Sequence, residues 1–189
     1  MIHNPKDITG KNGEKLLQSL HDLKIKGLTK KIGVSVYGKD DLESILKIFQ
    51  PEIVQCPLNI IDTRMLKNNY LSNLSKMGIE IHIRSIFLQG ILSFSSDSIP
   101  KEFIKFKDFW TDWKLWLMSK KLNPIEACIR FVNSIEGVNK IILGVNSTSH
   151  LEEIFHYYRK PPIYDKPKWN SSFSTELIDP RLWNKKKTS

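Results

Sequence analysis

The sequence predicts an α/β fold: a parallel sheet whose strands are joined by helical crossovers. Short β-branched runs recur at Lys31–Val36, Ile53–Pro57 and Ile79–Ser85, with a fourth at Lys140–Gly144. Between them stand stretches with apolar residues at helical spacing, and strands alternating with helices of this length favour parallel pairing. Polar residues close each run: Ser35, Gln55, Arg84 with Ser85, and Gly144 with Asn146. In parallel sheets the chemistry gathers where the strands end.

Taken in order, Met1–Asn4 reads as the last residues of a short strand, giving five parallel strands in chain order. Residues 14–26 form a helix with Leu16, Leu17, Leu20 and Leu23 on one face and Gly27 as its stop. After the strand at 31–36, Asp40 is the expected cap of a helix carrying Leu42, Ile45, Leu46 and Phe49; Glu43 completes a capping box and Pro51 ends it. After the strand at 53–57, Asp62 or Thr63 caps a helix with Leu66, Tyr70, Leu74 and Met77 in line, terminated by Gly78. Ser93–Pro100 is a long loop. Residues 101–121 form a longer helix with Phe103, Phe106, Trp110, Trp113 and Trp116 on one face. That stripe reads as a face packed on its own domain, with a sugar-stacking platform as the alternative. Asn123-Pro124 with Glu126 starts a helix bearing Ala127, Phe131 and Val132. A last helix runs from about 147–149 to Tyr158, and the Pro-, Trp- and Lys-rich tail from Pro161 reads as an extended arm.

The 189 residues give room for one domain with a sizeable core. A chain 40% hydrophobic and 26% charged is not of disordered composition. No apolar run approaches the roughly 20 residues of a membrane span, and no signal segment opens the chain. The two cysteines, Cys56 and Cys128, lack CxxC spacing, so a reduced cytoplasmic protein is expected. The net charge of +9 raises a polyanion-binding reading, but the lysines are scattered and only Lys185 to Lys187 form a run. Solvated surface lysine is favoured over a nucleic-acid site. The five histidines are dispersed, which offers no metal site. His82, between Ile81 and Ile83, is expected to pack against a helix.

Five strings carry a resemblance: His3-Asn-Pro-Lys-Asp7, Lys24-Ile-Lys-Gly-Leu-Thr-Lys-Lys-Ile-Gly-Val-Ser35, Val54-Gln-Cys-Pro-Leu-Asn59, Arg84-Ser-Ile-Phe-Leu-Gln-Gly90, and Ile142-Leu-Gly-Val-Asn-Ser147 with His150-Leu-Glu-Glu153. In this order and spacing they resemble the C-terminal half of the aldo-keto reductases. The loop Arg84–Gly90 and the tail Leu177-Ile-Asp-Pro-Arg-Leu-Trp183 look like a bacterial subgroup associated with surface-polysaccharide genes.

The resemblance implies part of an eight-stranded β/α barrel over residues 1–160, with 161–189 as a C-terminal arm. It implies NADPH or NADH as cofactor and a small carbonyl substrate, in this subgroup a sugar-derived one. By position, His3 matches the histidine that orients the carbonyl. Ser35 and Gln55 match the pair that binds the nicotinamide carboxamide. Arg84 stands where the family usually stacks a tyrosine on the nicotinamide, and a guanidinium can also stack. Ser85, Phe87 and Gln89 match the loop over the pyrophosphate. Gly144, Asn146 and Ser147 lead into a helix N-terminus suited to phosphate, and Glu153 matches an adenine contact. Val36, Val145 and His150 depart from the usual asparagine, serine and arginine, and the last two weaken the preference for NADPH over NADH. The family's catalytic aspartate, tyrosine and lysine precede the position of His3, and nothing in the 189 residues matches them. The chain is therefore expected to be the C-terminal part of the enzyme, inactive alone. Its open sheet edges, and an apolar inner face left uncovered, admit self-association. A non-catalytic remnant is the competing reading.

Overall fold

A computed structural model describes residues 1–94, 99–169 and 174–186. The chain divides into two compact units. The first comprises Met1–Leu58, Thr63–Arg84 and Glu136–Ile142; the second comprises Asn59–Asp62, Ser85–Ile135 and Leu143–Ser189.

The first unit holds a four-stranded parallel sheet of β1 (Gly33–Ser35), β2 (Ile53–Pro57), β3 (Glu80–Arg84) and β4 (Lys140–Ile141), in that spatial order. The expected fifth strand at the N-terminus is a single parallel bridge. The Ile2 N–H donates to the Gly33 carbonyl and the Ser35 N–H donates to the Ile2 carbonyl, both at 2.8 Å. Strand β4 is also shorter than its apolar run: the Ile142 N–H donates to the Ile83 carbonyl, but Ile142 is already exposed.

Four helices belong to this unit: α1 (Lys6–Thr9), α2 (Gly13–Ile25), α3 (Lys39–Leu46) and α4 (Tyr70–Lys76). Leu16, Leu17 and Leu20 of α2 are half-buried, while Leu23 is exposed. Gly38 occupies the N-cap of α3, the position expected for Asp40. The cap works in reverse: the Asp41 carboxylate accepts the Tyr37 N–H at 3.0 Å, and Asp40 sits in the first turn with the dipole in its favour. The helix expected after β2 is broken. A 3₁₀ segment over Arg64–Asn69 precedes α4, and both Asn68 and Asn69 adopt left-handed backbone, with φ of 56° and 54°. Asparagine tolerates that region better than other residues with a Cβ.

The sheet's two faces differ sharply. On one, Val34, Val54, Cys56, Ile81 and Ile83 are fully buried, and α4 lies against β3. The helix side chains Leu42, Ile45, Leu71 and Leu74 are buried too. Register places Ser35, Gln55 and His82 in one row of the other face, with Gly33, Ile53 and Glu80 in the next. That second face carries Ser35, Gln55, His82 and Glu80 beside Gly33 and Ile53, so it is more polar than the apolar inner face that the half-barrel resemblance implies. Alternation along β2 and β3 segregates the polar residues onto it.

The second unit contains α5 (Lys107–Lys120), α6 (Pro124–Val132), α7 (Thr148–Tyr158) and α8 (Thr175–Ile178), with 3₁₀ segments at Ile91–Ser93, Lys101–Phe106 and Pro180–Lys186. The helix expected over 101–121 begins as a 3₁₀ turn, becomes α5, and ends where Lys121 turns left-handed. Its tryptophans are buried. Trp113 and Trp116 stack at 5.5 Å, and Phe103 meets Trp183 edge-on at 4.8 Å. This is core packing rather than a sugar platform. Asn123 caps α6 as expected, accepting the Glu126 N–H at 2.8 Å. The start of the tail is tied down: Arg130 Nε donates to the Pro161 carbonyl and the Ile163 N–H to the Arg130 carbonyl. Residues 95–98 of the expected loop, and 170–173 and 187–189 of the tail with the end of its lysine run, lie outside the described residues. Among the described residues no helix is long and apolar enough to cross a membrane.

Candidate functional site

In the first unit the strand ends gather four of the expected residues. Ile2 pairs with Val34, so His3 takes the next position along, level with Ser35 and Gln55. His3 is exposed, Ser35 is buried and Gln55 is half-buried. The Ser35 hydroxyl donates to Gln55 Oε1 at 3.5 Å, a long contact that leaves the Gln55 amide NH₂ as the donor of the pair. Arg84 is the last residue of β3, level with Pro57 and two residues beyond the Gln55–His82 row. Its guanidinium carbon lies 4.4 Å from the centre of the Tyr37 ring, and one NH₂ donates to the Val36 carbonyl at 3.3 Å.

The opposite ends of the strands carry a different cluster. The Glu80 carboxylate accepts from His82 Nε2 at 2.7 Å and from Lys140 Nζ at 3.1 Å, and it also pairs with Lys31. The His82 hydrogen bond, then those from Lys31 and Lys140, hold its carboxyl down to about 2. His82 is thus buried with its ring paired to Glu80 on its own strand. Nearby, Lys24 and the Ile32 N–H hold the Glu52 carboxylate below its ordinary value. Ion pairs at the N-terminal ends of parallel strands serve stability rather than chemistry.

In the second unit, Ser85–Gly90 forms a compact turn. Ser85, Leu88 and Gln89 all have left-handed backbone, with φ of 59°, 46° and 56°. Such residues cost about 1 kcal/mol each and concentrate at functional loops. Phe87 is half-buried and Gln89 exposed. The fully buried Asn59 holds the turn. Its Nδ2 donates to the Ser85 carbonyl at 3.1 Å, and its Oδ1 accepts the Ile61 and Asp62 N–H groups at 3.1 and 2.8 Å. Farther along, Gly144, Asn146 and Ser147 are exposed, and the Ser147 hydroxyl caps α7 by accepting the His150 N–H at 3.1 Å. His150 and Glu153, in the first two turns of α7, are half-buried. A carbon added at Gly144 would meet nothing within 4 Å, so the approach to this helix start is open.

Three participants escape a reading of the sequence. Tyr37 follows a strand like any loop residue, and its partner lies 47 positions away. Asn59 is visible only as part of a string. Glu126 is visible as a helix-start acid, but its pairing with Arg130 at 2.8 Å and Lys160 at 2.9 Å depends on packing. Among the described residues no cluster could hold a metal ion.

The aldo/keto reductase family model matches residues 1–167. Among solved structures, an aldo-keto reductase from Bacillus halodurans in its holo form aligns with a TM-score of 0.60 at 15% identity, over 77% of this chain and 50% of that one. Its apo form gives 0.61 at 15% identity, over 77% and 51%. A glycerol dehydrogenase from Gluconobacter oxydans aligns at 0.48 and 15% identity, over 76% and 54%. The chain spans about half the length of these solved proteins. No curated protein matches the sequence.

Proposed function

Because the chain belongs to the aldo/keto reductase family, we propose that its 189 residues carry the cofactor-binding part of an NAD(P)H-dependent oxidoreductase acting on small carbonyl compounds. The observation that carries this reading is the Ser35–Gln55 pair at the strand ends. A primary carboxamide offers one carbonyl acceptor and one NH₂ donor. The Gln55 NH₂ supplies a donor and the Ser35 hydroxyl oxygen an acceptor, and neighbouring strands fix them side by side. The donor set therefore fits a nicotinamide carboxamide. When bound, the nicotinamide supplies the hydride; the chain's residues supply orientation.

The family resemblance assigns these roles residue by residue, within each unit taken by itself. In the first, Ser35 and Gln55 orient the carboxamide, Arg84 borders it, and His3 directs the substrate carbonyl oxygen. In the second, Ser85, Phe87 and Gln89 on the turn held by Asn59 cover the pyrophosphate. The start of α7, with Gly144, Asn146 and Ser147, receives phosphate through its N–H groups and dipole. His150 and Glu153 flank the adenosine end. No aspartate, tyrosine and lysine set in the 189 residues matches the family's proton-donating motif. Full carbonyl reduction therefore draws that acid from further polypeptide, in cis or in trans. General acid help is typically worth ~10²–10⁴-fold, so residues 1–189 alone bind cofactor but turn over carbonyls feebly.

Calorimetric titration of NADPH and NADH into the 189-residue protein tests the reading. Binding is expected, weakened about tenfold by Gln55→Ala through the loss of one to two hydrogen bonds of about 1 kcal/mol each. Unchanged affinity in Gln55→Ala and Ser35→Ala, or no binding by the parent chain, would remove the reading.

A further inference from the structure

We propose that the end of the sheet at which the strands begin docks on the surface of an anionic lipid bilayer. The proposal stands apart from the cofactor reading, whose residues in the first unit sit toward the opposite ends of the same strands.

In a parallel sheet, every connection that leads into a strand arrives at the same end. Three connections of the first unit do so: residues 26–32 into β1, 47–52 into β2 and 77–79 into β3. The three strands are neighbours, about 4.8 Å apart from one to the next, so the connections lie side by side. They are also tied together. Lys24 Nζ reaches the Glu52 carboxylate at 2.6 Å, and that carboxylate accepts the Ile32 N–H at 3.0 Å. Gln50 Nε2 donates to the Met77 carbonyl at 3.2 Å.

Two kinds of exposed side chain collect there. Ile25, the last residue of α2, is 84% exposed and Leu28 is 72% exposed; Ile48 and Met77 are exposed as well. Single exposed apolar residues are ordinary. Here four stand close together, with Leu23 in the last turn of α2 beside them. Among the described residues of this unit, only Met1 and Ile142 are large apolar side chains exposed elsewhere. The second kind is lysine. Lys24, Lys31 and Lys140 are engaged with Glu52 and Glu80. Lys26, Lys30, Lys47 and Lys76 are exposed and, among the described residues, make no ion pair. The exposed acids at this end are Asp22, which accepts from Gln18, and Glu136. These lysines are dispersed along the sequence, and the parallel topology is what brings them to one end.

A surface that mixes unpaired ammonium groups with protruding isoleucine, leucine and methionine complements an anionic bilayer. The lysines meet lipid phosphates, while the apolar tips enter the headgroup layer and leave water. A nucleic acid would satisfy the charges but not the apolar tips. The three connections also carry no exposed aromatic ring on which a base could stack. In this orientation the protein lies on the bilayer with the ends of its strands turned to the solvent.

The test is cosedimentation of the 189-residue protein with vesicles of phosphatidylcholine, alone or with about 30 mol % phosphatidylglycerol. Binding is expected only to the anionic vesicles, and should weaken as salt rises from about 50 to about 500 mM. Each lysine near an anionic surface is worth about fivefold in partitioning, so Lys26→Gln with Lys30→Gln should lower it more than about tenfold. Lys107→Gln with Lys114→Gln removes the same charge from exposed positions on α5 and should leave partitioning within about twofold. Ile25→Ser with Leu28→Ser keeps the net charge and should cost about tenfold or more. Ile48→Ser with Met77→Ser gives a second apolar variant should the first fail to match the parent's circular-dichroism melt. Failure of the parent to bind anionic vesicles would overturn the proposal. Equal losses in the two lysine pairs would overturn it too, by showing attraction to net charge alone. So would undiminished binding in both serine variants, or a preference for duplex DNA over the vesicles, either of which marks a general polyanion surface.

Discussion

Replacing Asn59 by alanine removes one side chain and strands two buried backbone N–H groups. The Ile61 and Asp62 N–H groups lose their acceptor, while the Ser85 carbonyl loses one donor and keeps the Leu88 N–H at 2.9 Å. Asn59, Ile60, Ile61 and Asp62 are all buried, so water has no ready access to the orphaned groups. Each hydrogen bond is worth about 1 kcal/mol net, and each buried group left unpaired costs about 1–3 kcal/mol. An overall loss of about 3–4 kcal/mol is expected, moderated by release of the left-handed residues at 85, 88 and 89. Asn59→Asp separates the contributions. It keeps both acceptor contacts, loses the donor, and sets an anionic oxygen near the Ser85 carbonyl; about half the loss is expected. The assay is built into the sequence. All five tryptophans, at 110, 113, 116, 169 and 183, belong to the second unit, so their fluorescence in a urea titration reports the unit that contains Asn59. A loss under about 0.5 kcal/mol for Asn59→Ala, or an aspartate variant no better than alanine, would refute the reasoning.

Other outcomes are open to simple measurements. Burial pushes the Glu126 carboxyl up, but Lys160 and Arg130 pull it further down, and its value lies net below the ordinary one. A depressed carboxyl adds stability above the unfolded-state value and loses it as pH falls through the folded one. Acid unfolding of the second unit, followed by tryptophan fluorescence, should therefore become less steep in Glu126→Gln; an unchanged acid limb would count against the pairing. Gly33→Ala would place a methyl 2.6 Å from the Ile53 carbonyl oxygen and 2.7 Å from its Cβ, and should cost about 2 kcal/mol or more in a circular-dichroism melt. A neutral result would show that β1 and β2 can separate freely. Ser147→Ala should cost about 1 kcal/mol through loss of the α7 cap, read as faster exchange of the His150 amide, whereas Ser147→Asp should retain protection.

The strands were legible because β-branched runs bounded by turns leave few alternatives, and all four lie within the expected ranges. Strand β4 was over-read: Ile142 and Leu143 extend the apolar run, but the hydrogen bonding of β3 reaches only to Ile142. The helix before β3 was over-read for another reason. Its apolar spacing is sound from Tyr70 onward, but Asn68 and Asn69 can enter the left-handed region, and tertiary context decides whether they do. The caps at Asn123 and Ser147 were legible because capping is a local matter. The contacts that shape the candidate site were not. Tyr37 with Arg84, Asn59 with Ser85, and Lys31 and Lys140 with Glu80 each join residues far apart in sequence, and only strand register or loop path brings them together.

Register also explains how one strand keeps its anion and its cation apart. Glu80 and Arg84 lie on the same face of β3, four residues apart, or roughly 13 Å at about 3.3 Å per residue. Glu80 is surrounded by His82, Lys31 and Lys140, and with its carboxyl held to about 2 it stays ionised, keeping those three groups engaged well into acid. A depressed carboxyl adds stability above the unfolded-state value and loses it as pH falls through the folded one. Glu80→Gln should therefore lower the melting temperature at neutral pH and leave it nearly unchanged close to pH 2, where the parent's carboxylate is itself neutralised. An equal loss at both pH values would refute the ion-pair account of the strand beginnings.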